Sequence, residues 1–302
     1  MLPDGIIASS VTPFFPNGDV AYNLLTDHIN WLLEEGVDGL SPLGSSGEFA
    51  ALDINTRKQV LEHVIEINAG RRPIIAGTHH YSTQATIELS IHAERAGADA
   101  LLITPPYYMS PSVPQVMDHY RAIADAVTIP IVLYHNMANT HVDLKTEHLT
   151  TLFEENAIAG VKMSNAESDR IGELLMATGN ACTVYAGIDV VAFDALCLGA
   201  TGWISGIPSI VPKAAHRLYD AIRNSDLALA RREWNTLAPL MRLEFRGYLY
   251  GDGDPHWFSV MKAALNLIGP CVNDPLPPIQ PLAEPKLSQL KALLANLGYA
   301  VR

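Results

Sequence analysis

One lysine in this chain stands where an apolar segment ends, in the run Gly160-Val161-Lys162-Met163-Ser164. Burying an ammonium group without a paired anion is costly, so a lysine in such a place tends to give up its proton. The neutral amine is a nucleophile that attacks carbonyl carbon and forms an imine. A lysine that reaches back to solvent or closes a structural ion pair explains Lys162 equally well, so its neighbours must decide.

A loop of small residues comes earlier, Gly44-Ser45-Ser46-Gly47-Glu48, directly after the strand-like run Val37-Asp38-Gly39-Leu40. Glycines let the backbone turn tightly and leave its N–H groups bare, and the serine hydroxyls add donors. Such a loop can hold a small anion such as a carboxylate, although a Gly/Ser turn between a strand and a helix is more often only a turn. It lacks the lysine of a P-loop and the G-x-G-x-x-G pattern of dinucleotide-binding proteins.

Two segments that carry tyrosine complete the set of candidate chemical groups. Ile131-Val132-Leu133-Tyr134 is an apolar strand that ends in a tyrosine, and Thr104-Pro105-Pro106-Tyr107-Tyr108 follows the apolar run 100–103. A tyrosine hydroxyl at a strand end can carry protons to and from a substrate. Most tyrosines only pack, so Tyr134 and Tyr108 gain their interest from the lysine and the serine loop.

A repeated junction of helix and strand predicts how these groups are positioned. Glycine closes an amphipathic segment and opens an apolar one at Gly36, Gly97 and Gly199, as at a helix C-cap that leads into a buried parallel strand. Eight strand and helix units fit by residue 220, and their right-handed crossovers close into an α/β fold, the TIM (β/α)8 barrel. Other candidate strands are Ile6–Ser10, Pro73–Gly77, Ala100–Ile103, Ile131–Tyr134, Ile158–Lys162 and Val184–Ala186.

The pattern predicts two parts of the chain, a barrel over residues 1–225 and a C-terminal helical extension packed on it over residues 226–302. Helical patterns at Leu227–Arg246, His256–Ile268 and Glu284–Leu297 support this extension. TIM barrels carry their active sites at the C-terminal ends of the strands. The candidate groups all end predicted strands, as do Gly187, Asp189 and Ile204, so we expect them to converge in space.

The order and spacing of these motifs resemble a known superfamily. Residues 44–48 match the pattern G-[ST]-[ST]-G-E, residues 104–108 match T-P-x-Y-Y, Tyr134 matches the tyrosine of Y-N-x-P, and Lys162 matches the lysine of G-[IVL]-K. From Gly5 to about Leu282 the chain resembles the dihydrodipicolinate synthase/N-acetylneuraminate lyase superfamily of pyruvate-utilising class I aldolases. Five motifs in family order, the last of them Gly202-Trp203-Ile204-Ser205, are far more specific than any one alone.

The resemblance implies a Schiff-base lyase that acts on pyruvate or a related 2-oxo acid and needs no metal or other cofactor. Lys162 would form the imine, which serves as an electron sink for making or breaking the bond beyond C3. Tyr134 would move protons, and Tyr108 from a partner subunit would complete a hydroxyl relay through Ser45, which implies a homodimer or a homotetramer. The residues assigned to substrate binding are Gly44, Ser46, Gly47, Asn139, Gly187, Asp189 and Ile204.

The second substrate is where the sequence departs from the synthases of this superfamily. They carry an arginine in Y-N-x-P-x-R-[ST], and Asn139 stands at that position in Tyr134-His135-Asn136-Met137-Ala138-Asn139-Thr140. Asparagine cannot make a bidentate ion pair with a second carboxylate, so dihydrodipicolinate synthesis is disfavoured. The Ala138-Asn139-Thr140 element is closer to 4-hydroxy-2-oxoglutarate aldolases, which favours a 4-hydroxy-2-oxo acid.

Composition fits such an enzyme and excludes other classes of partner. The 302 residues carry a net charge of −12 without a run of Lys or Arg, which argues against binding to nucleic acid or to an anionic membrane. Three widely spaced cysteines, Cys182, Cys197 and Cys271, are typical of reduced thiols in the cytoplasm. No apolar run approaches the ~18 residues of a membrane helix.

Several alternatives stay open. His79 and His80 follow a predicted strand and could be ligands of a metal, as in class II aldolases, but adjacent residues of an extended chain point to opposite sides. Dihydrodipicolinate synthase and a 2-oxo acid dehydratase or deaminase share the same imine chemistry. A barrel that binds a metabolite without turnover is the remaining alternative, and the complete set of Lys162, Tyr134, Ser45 and Tyr108 argues against it.

Overall fold

A computed structural model describes residues 2–251 and 253–302. Its single sheet is built of eight strands, β1 Gly5–Ala8, β2 Gly39–Leu40, β3 Ile75–Gly77, β4 Ala100–Ile103, β5 Ile131–His135, β6 Gly160–Met163, β7 Thr183–Ala186 and β8 Gly202–Ser205. Every pair is parallel, in the order β2-β1-β8-β7-β6-β5-β4-β3. A parallel bridge between Leu40 and Ile74 joins the two edges, so the sheet closes into the predicted TIM barrel.

Helices surround the barrel and alternate with its strands. Those up to residue 223 are α1 Tyr22–Glu34, α2 Ile54–Asn68, α3 Thr83–Ala96, α4 Val113–Ala124, α5 Met137–Thr140, α6 Thr146–Glu154, α7 Asp169–Ala177, α8 Ala192–Cys197, α9 Ile207–Ile210 and α10 Pro212–Arg223. Gly36, Gly97 and Gly199 have φ of +89°, +105° and +107°, which confirms the predicted junctions where glycine ends a helix before a strand.

The apolar residues fill two layers, as a barrel requires. The larger layer lies between the sheet and the helices, and it includes Trp203, Leu40 and Leu237. The smaller fills the barrel interior and contains Ile7, Leu102, Val132, Tyr134, Tyr185 and Ile204. Neighbouring residues of a strand point to opposite faces, so the interior set alternates with the outer set along each strand.

Four further helices form the C-terminal extension, α11 Leu227–Glu244, α12 Arg246–Tyr250, α13 Trp257–Ile268 and α14 Lys286–Asn296. Helix α11 packs on α10, α13 and α14, which is how the extension is joined to the barrel. Among the described residues, no helix combines the length and the apolar character needed to cross a membrane. The division at residue 225 stays a prediction about domains.

Element boundaries differ from the prediction at a few places. The strand predicted at Pro73–Gly77 begins at Ile75, because Pro73 has no N–H and the N–H of Ile74 donates to the Asp99 side chain over 2.8 Å. The helix predicted at Leu227–Arg246 is two helices, since α11 ends at Glu244 and α12 starts after Phe245. This break directs residues of both helices toward the mouth of the barrel.

Candidate active site

Lys162 and Tyr134 lie side by side inside the barrel. Strands β5 and β6 pair in parallel register with Tyr134 opposite Lys162, so both side chains enter the interior at the same height. The lysine is 3 % exposed, and its Nζ lies 3.9 Å from the centroid of the Tyr134 ring. The lysine is therefore buried and is not one that reaches solvent.

A glycine on the next strand makes room for the lysine. A Cβ at Gly187 would lie 2.1 Å from Ser164 Oγ and 2.8 Å from the carbonyl oxygen of Met163, both too close for any real side chain, and it would make a tight contact of 3.0 Å with Lys162 Cγ. Ser164 Oγ donates to the carbonyl of Gly187 over 2.9 Å and ties the two strand ends together. Gly187 thus acts by having no side chain, which is what permits the close approach.

The Tyr134 hydroxyl is set up for proton exchange. Burial by itself raises its pKa, but the Lys162 ammonium and hydrogen bonds with Ser45, Lys162 and Ser164 outweigh burial and leave the pKa below the ordinary value of 10.0. Asn136 Nδ2 also donates to this hydroxyl over 3.2 Å. A tyrosine of lowered pKa exchanges protons more readily at neutral pH than an ordinary one.

The serine loop forms one short turn at the barrel mouth, Ser45–Gly47. Its later N–H groups are used within the turn, since Gly47 donates to Gly44 and Glu48 donates to Ser45. In the described part of the chain, the backbone N–H groups of Ser45 and Ser46 have no acceptor. Two free N–H groups beside two hydroxyls make an anion cradle next to the buried lysine.

A neutral histidine holds the start of this loop. His79 accepts from Thr104 N at Nδ1 over 3.2 Å, so its proton lies on Nε2, which donates to the carbonyl of Leu43 over 3.1 Å. Burial, followed by the nearby charge of Arg57, lowers its pKa well below 6.5 and keeps the ring neutral. Leu43 itself has a φ of +59°, a strained conformation that this hydrogen bond helps to fix.

A buried ion pair holds the end of the loop. Lys262 of α13 is fully buried and its Nζ lies 2.6 Å from Glu48 Oε1, while Glu48 Oε2 accepts from the backbone N of Leu276 over 2.8 Å. Lys262 thus has a structural role. The pair therefore joins the serine loop to the C-terminal extension.

Six of the predicted site residues share a small cavity of about 50 Å³. Those that line it are Ser45, Ser46, Tyr134, Asn139, Lys162 and Gly187. A wider cavity of about 300 Å³ adjoins it, and the two share Ser45, Asn136, Asn139 and Trp257. The pair of cavities can hold a short 2-oxo acid at the lysine with a longer chain beyond it.

Other predicted residues lie outside the lysine cavity. Three of them, Gly44, Gly47 and Ile204, are buried and do not line the cavity. Asp189 is buried and turns to Ser205 and the backbone of α9. Tyr108 is 79 % exposed and lies away from the cavity of its own subunit.

Sequence reasoning missed part of the lining. Asn136 and Ser164 follow Tyr134 and Lys162 by two positions, so the period of a strand could have identified them. Ser205 ends the motif 202–205 but has no predicted role, and the others are Ile188, Gly206, Glu244, Phe245, Tyr248, Trp257 and Met261. The last five come from the C-terminal extension, and no motif signals them.

The metal alternative loses its main candidate here. Both ring nitrogens of His79 are engaged by Leu43 and Thr104, and His80 Nδ1 accepts from Ser82 N over 3.0 Å. In the ranges 2–251 and 253–302, no three His, Cys, Asp or Glu side chains are grouped as metal ligands. The two histidines act as hydrogen-bonding groups of the barrel mouth.

Comparison with known proteins agrees with this geometry. The sequence profile of the dihydrodipicolinate synthetase family matches residues 2–297, and the chain belongs to that family. It is 35 % identical to the 4-hydroxy-tetrahydrodipicolinate synthase of Pelobacter propionicus over 97 % of this chain and 98 % of that protein.

Two solved structures are similar over almost their whole length. The dihydrodipicolinate synthase of Aquifex aeolicus has a TM-score of 0.91 at 27 % identity and covers 99 % of each chain. YagE, a prophage protein of this family from E. coli K12 solved with pyruvate, has a TM-score of 0.90 at 32 % identity and covers 98 % of this chain and 99 % of its own. The protein is thus a lyase of the class I Schiff-base type that acts on pyruvate or a related 2-oxo acid.

Proposed function

We propose that the protein is an aldolase for 4-hydroxy-2-oxo acids, with Lys162 as the nucleophile that forms the imine. The observation that carries this proposal is the buried Lys162 amine beside the Tyr134 ring, at the edge of a cradle for a carboxylate. A buried amine close to a proton donor suits imine formation with a ketone. No metal or other cofactor takes part in the proposed reaction.

The reaction would follow a balanced sequence. The Lys162 amine adds to the C2 carbonyl of the substrate, and the hydroxyl group so formed takes a proton from Tyr134 and leaves as water, which gives a protonated imine and a Tyr134 phenolate. The bond between C3 and C4 breaks, its electron pair enters the imine, and the proton of the 4-hydroxyl passes to the Tyr134 oxygen. The aldehyde departs, and the enamine takes this proton from Tyr134 at C3. Water then hydrolyses the protonated imine to pyruvate and the free amine, and the extra proton returns to the Tyr134 oxygen.

The remaining residues would bind and orient the substrate. Ser45 and Ser46 would hold the substrate carboxylate through hydroxyl and N–H donors, with Gly44 and Gly47 shaping the turn. Gly187 would leave space for the lysine and the imine. Asn139 would contact the aldehyde end, whereas Asp189 and Ile204 would support the site from behind.

The charges around both cavities favour this substrate over one with a second carboxylate. Of the described residues that line them, Lys162 is the only lysine or arginine. Glu48 is the acidic residue of the wider cavity, and it is already paired with Lys262. A second carboxylate would find the Asn139 amide and no cation, which forfeits a charge-assisted contact worth about 1.5–3 kcal/mol.

A comparison of two reactions tests the substrate. We expect kcat/KM for release of pyruvate from 4-hydroxy-2-oxo acids to exceed that for condensation of pyruvate with aspartate semialdehyde. Asn139→Arg should raise the synthase reaction by about tenfold or more, because about 1.4 kcal/mol is a factor of ten, and Asn139→Gln is the matched control. A wild-type protein that favours the synthase reaction tenfold would overturn this substrate assignment.

The second candidate is 4-hydroxy-tetrahydrodipicolinate synthase, the name carried by the relative from Pelobacter propionicus. It rests on 35 % identity over nearly the whole chain, and Asn139 is the observation against it. A 2-oxo acid dehydratase or deaminase would use the same imine and would be recognised by water or ammonia released without an aldehyde.

Replacement of the lysine tests the nucleophile itself. Pyruvate with borohydride should add one reduced pyruvate to the wild-type protein, seen as a mass shift, and Lys162→Ala and Lys162→Arg should abolish both adduct and turnover. Lys213→Met is the matched control, since that lysine pairs with Glu35 on the surface. An adduct on the Lys162→Ala protein would assign the chemistry to another lysine.

A partner subunit is part of the proposal. Tyr108 is highly exposed on its own chain, as a side chain that enters a neighbouring active site would be. We propose a homotetramer built as a dimer of dimers, in which Tyr108 extends the relay through Ser45 to Tyr134 across an interface. Light scattering measures the number of subunits in the assembly. The variant Tyr108→Phe should lower kcat and leave that number unchanged.

The three unpaired cysteines support a cytoplasmic location.

A further inference from the structure

Two carboxyl groups are buried together at the edge of the lysine cavity, and the Schiff-base reaction does not account for them. Asp189 is completely buried, and Glu244 at the end of α11 is 1 % exposed. Within residues 2–251 and 253–302, neither carboxyl forms an ion pair with a lysine, arginine or histidine. Buried acids without a cation are rare because burial disfavours their charge.

Asp189 is held as the charged member of the pair. Its carboxylate accepts from Ser205 Oγ over 2.7 Å, from Gly206 N over 3.1 Å and from Ile207 N over 3.3 Å. Burial raises its pKa to about 6, and these donors oppose the rise. At neutral pH Asp189 is therefore ionised, with its acceptor capacity used by β8 and α9.

Glu244 keeps the proton. Burial raises its pKa well above 4.5, and the neighbouring charge of Asp189 and a hydrogen bond to it raise it further. The Glu244 carboxyl is thus neutral at pH 7 and donates to Asp189. Two close carboxyls cannot both ionise, so one proton stays with the pair.

The Glu244 side chain lines the lysine cavity, and its position depends on a glycine. A Cβ on Gly206 would lie 1.7 Å from Glu244 Oε1, so the carboxyl occupies the space that a side chain at position 206 would take. Glu244 lines the same cavity as Lys162, together with Ser205 and Gly206. In the described part of the protein no donor reaches its Oε2. Glu244 therefore has an oxygen whose acceptor capacity is unused, at the wall of the lysine cavity.

We propose that Glu244 accepts a hydrogen bond from a hydroxyl group on the aldehyde-derived part of the substrate and so selects hydroxylated aldehydes over plain aliphatic ones. This rests on the proposed function, because it assumes a substrate bound to Lys162. A neutral acid fixed by Asp189 gives a directed acceptor without repelling the substrate carboxylate. An aldehyde without the hydroxyl would leave that buried oxygen unpaired, which costs binding.

The test runs the reaction in the direction of condensation, with pyruvate and either glycolaldehyde or acetaldehyde. The two aldehydes differ by one hydroxyl, and in both cases a bond forms between C3 of pyruvate and the aldehyde carbon. We expect wild-type kcat/KM to favour glycolaldehyde by about ten- to a hundredfold. Glu244→Leu should bring this ratio close to one, and Glu244→Gln should retain most of it because its amide oxygen still accepts.

Controls separate this proposal from the proposed function. Glu233→Leu is the matched variant on the same helix, because Glu233 pairs with Arg217 at the surface, and it should leave the ratio unchanged. Every variant is also trapped with pyruvate and borohydride. A wild-type protein that traps no pyruvate overturns the imine chemistry and this proposal with it.

Two further outcomes overturn the role of Glu244 alone. They are normal trapping with no preference of the wild-type protein for glycolaldehyde, and a preference that Glu244→Leu retains. If Glu244→Leu does not fold, as judged by circular dichroism, the wild-type ratio and Glu244→Gln decide the question. A Glu244→Gln ratio near one, with normal trapping, also overturns the proposal.

Discussion

Removal of one partner of the buried ion pair between Lys262 and Glu48 should destabilise the protein strongly, and Lys262→Met tests this. The methionine fills most of the space of the lysine and removes its charge, together with the hydrogen bond of 3.2 Å from Lys262 Nζ to the carbonyl of Asp274. Glu48, whose side chain is 3 % exposed, would keep its hydrogen bond from Leu276 N and lose its cation. A carboxylate left buried without a cation is the unfavourable product of this change.

The magnitude follows from the geometry of the pair. Breaking a buried ion pair by removing one partner costs about 3–5 kcal/mol, and the Nζ to Oε1 distance of 2.6 Å with full burial places this pair in that class. For 302 residues the entropy of unfolding is about 0.6 kcal/mol per degree, so Tm should fall by about 5–8 °C. Glu48 ends the serine loop, so KM for pyruvate should rise as well.

Calorimetry and urea unfolding of four proteins measure the effect: wild type, Lys262→Met, Glu48→Gln and the double variant. The destabilisation of the double variant should be smaller than the sum of the two single effects, since either substitution alone already removes the same ion pair. Lys213→Met, which breaks a surface pair whose lysine side chain is 61 % exposed, is the control and should cost below about 1 kcal/mol. A Lys262→Met protein within about 1 kcal/mol of wild type would refute the reasoning.

Three further predictions concern the site. Tyr134→Phe should lower kcat by about 10²- to 10⁴-fold while pyruvate trapping persists, and near-normal turnover would return Tyr134 to a packing role. Gly187→Ala should lower turnover at least about tenfold in a folded protein, because the added Cβ displaces Ser164 Oγ and Lys162 Cγ, and unchanged turnover would contradict the close approach. Since burial raises the pKa of Asp189 to about 6, above 3.8, the folded protein binds more protons than the unfolded chain between these values, and stability from the pair is lost as pH rises from about 4 to about 6. Urea unfolding across this range should show a shallower loss for Glu244→Gln, and equal slopes would contradict the coupling.

The sequence predicted the barrel and the meeting of its motifs because parallel topology leaves few choices. Once strands alternate with helices and connect by right-handed crossovers, every residue that ends a strand lies on one rim. This explains why Lys162, Tyr134, Ser45 and Asn139 share a cavity although they lie far apart in the chain. Some element boundaries differ from the prediction by a few residues. In β3, for example, Ile74 forms only an isolated bridge with Leu40, and the regular strand begins at Ile75.

Motif reasoning could not say which of the strand-end residues face the substrate. Gly187 contacts the lysine by lacking a side chain, whereas Asp189, two residues later, turns to hydrogen-bond donors of α9. Tyr108 points into solvent on its own chain, and only an assembly can give it a role in catalysis. The orientation of each side chain depends on its hydrogen bonds and on the space around it. The spacing of residues in a motif contains no information about either.

The sequence by itself therefore determined the fold and the class of chemistry, because strand periodicity and motif order can be read from the chain alone, and it predicted Lys162 as the nucleophile. Only the tertiary structure decided what surrounds the reacting carbon. Glu244, Trp257 and Met261 reach the cavity from helices whose placement depends on packing across the whole extension. The role of Lys262 was also decided by the tertiary structure. The helical pattern around it is compatible with a lysine at the surface or in the core, and Lys262 is buried against Glu48 only because α13 packs on the barrel.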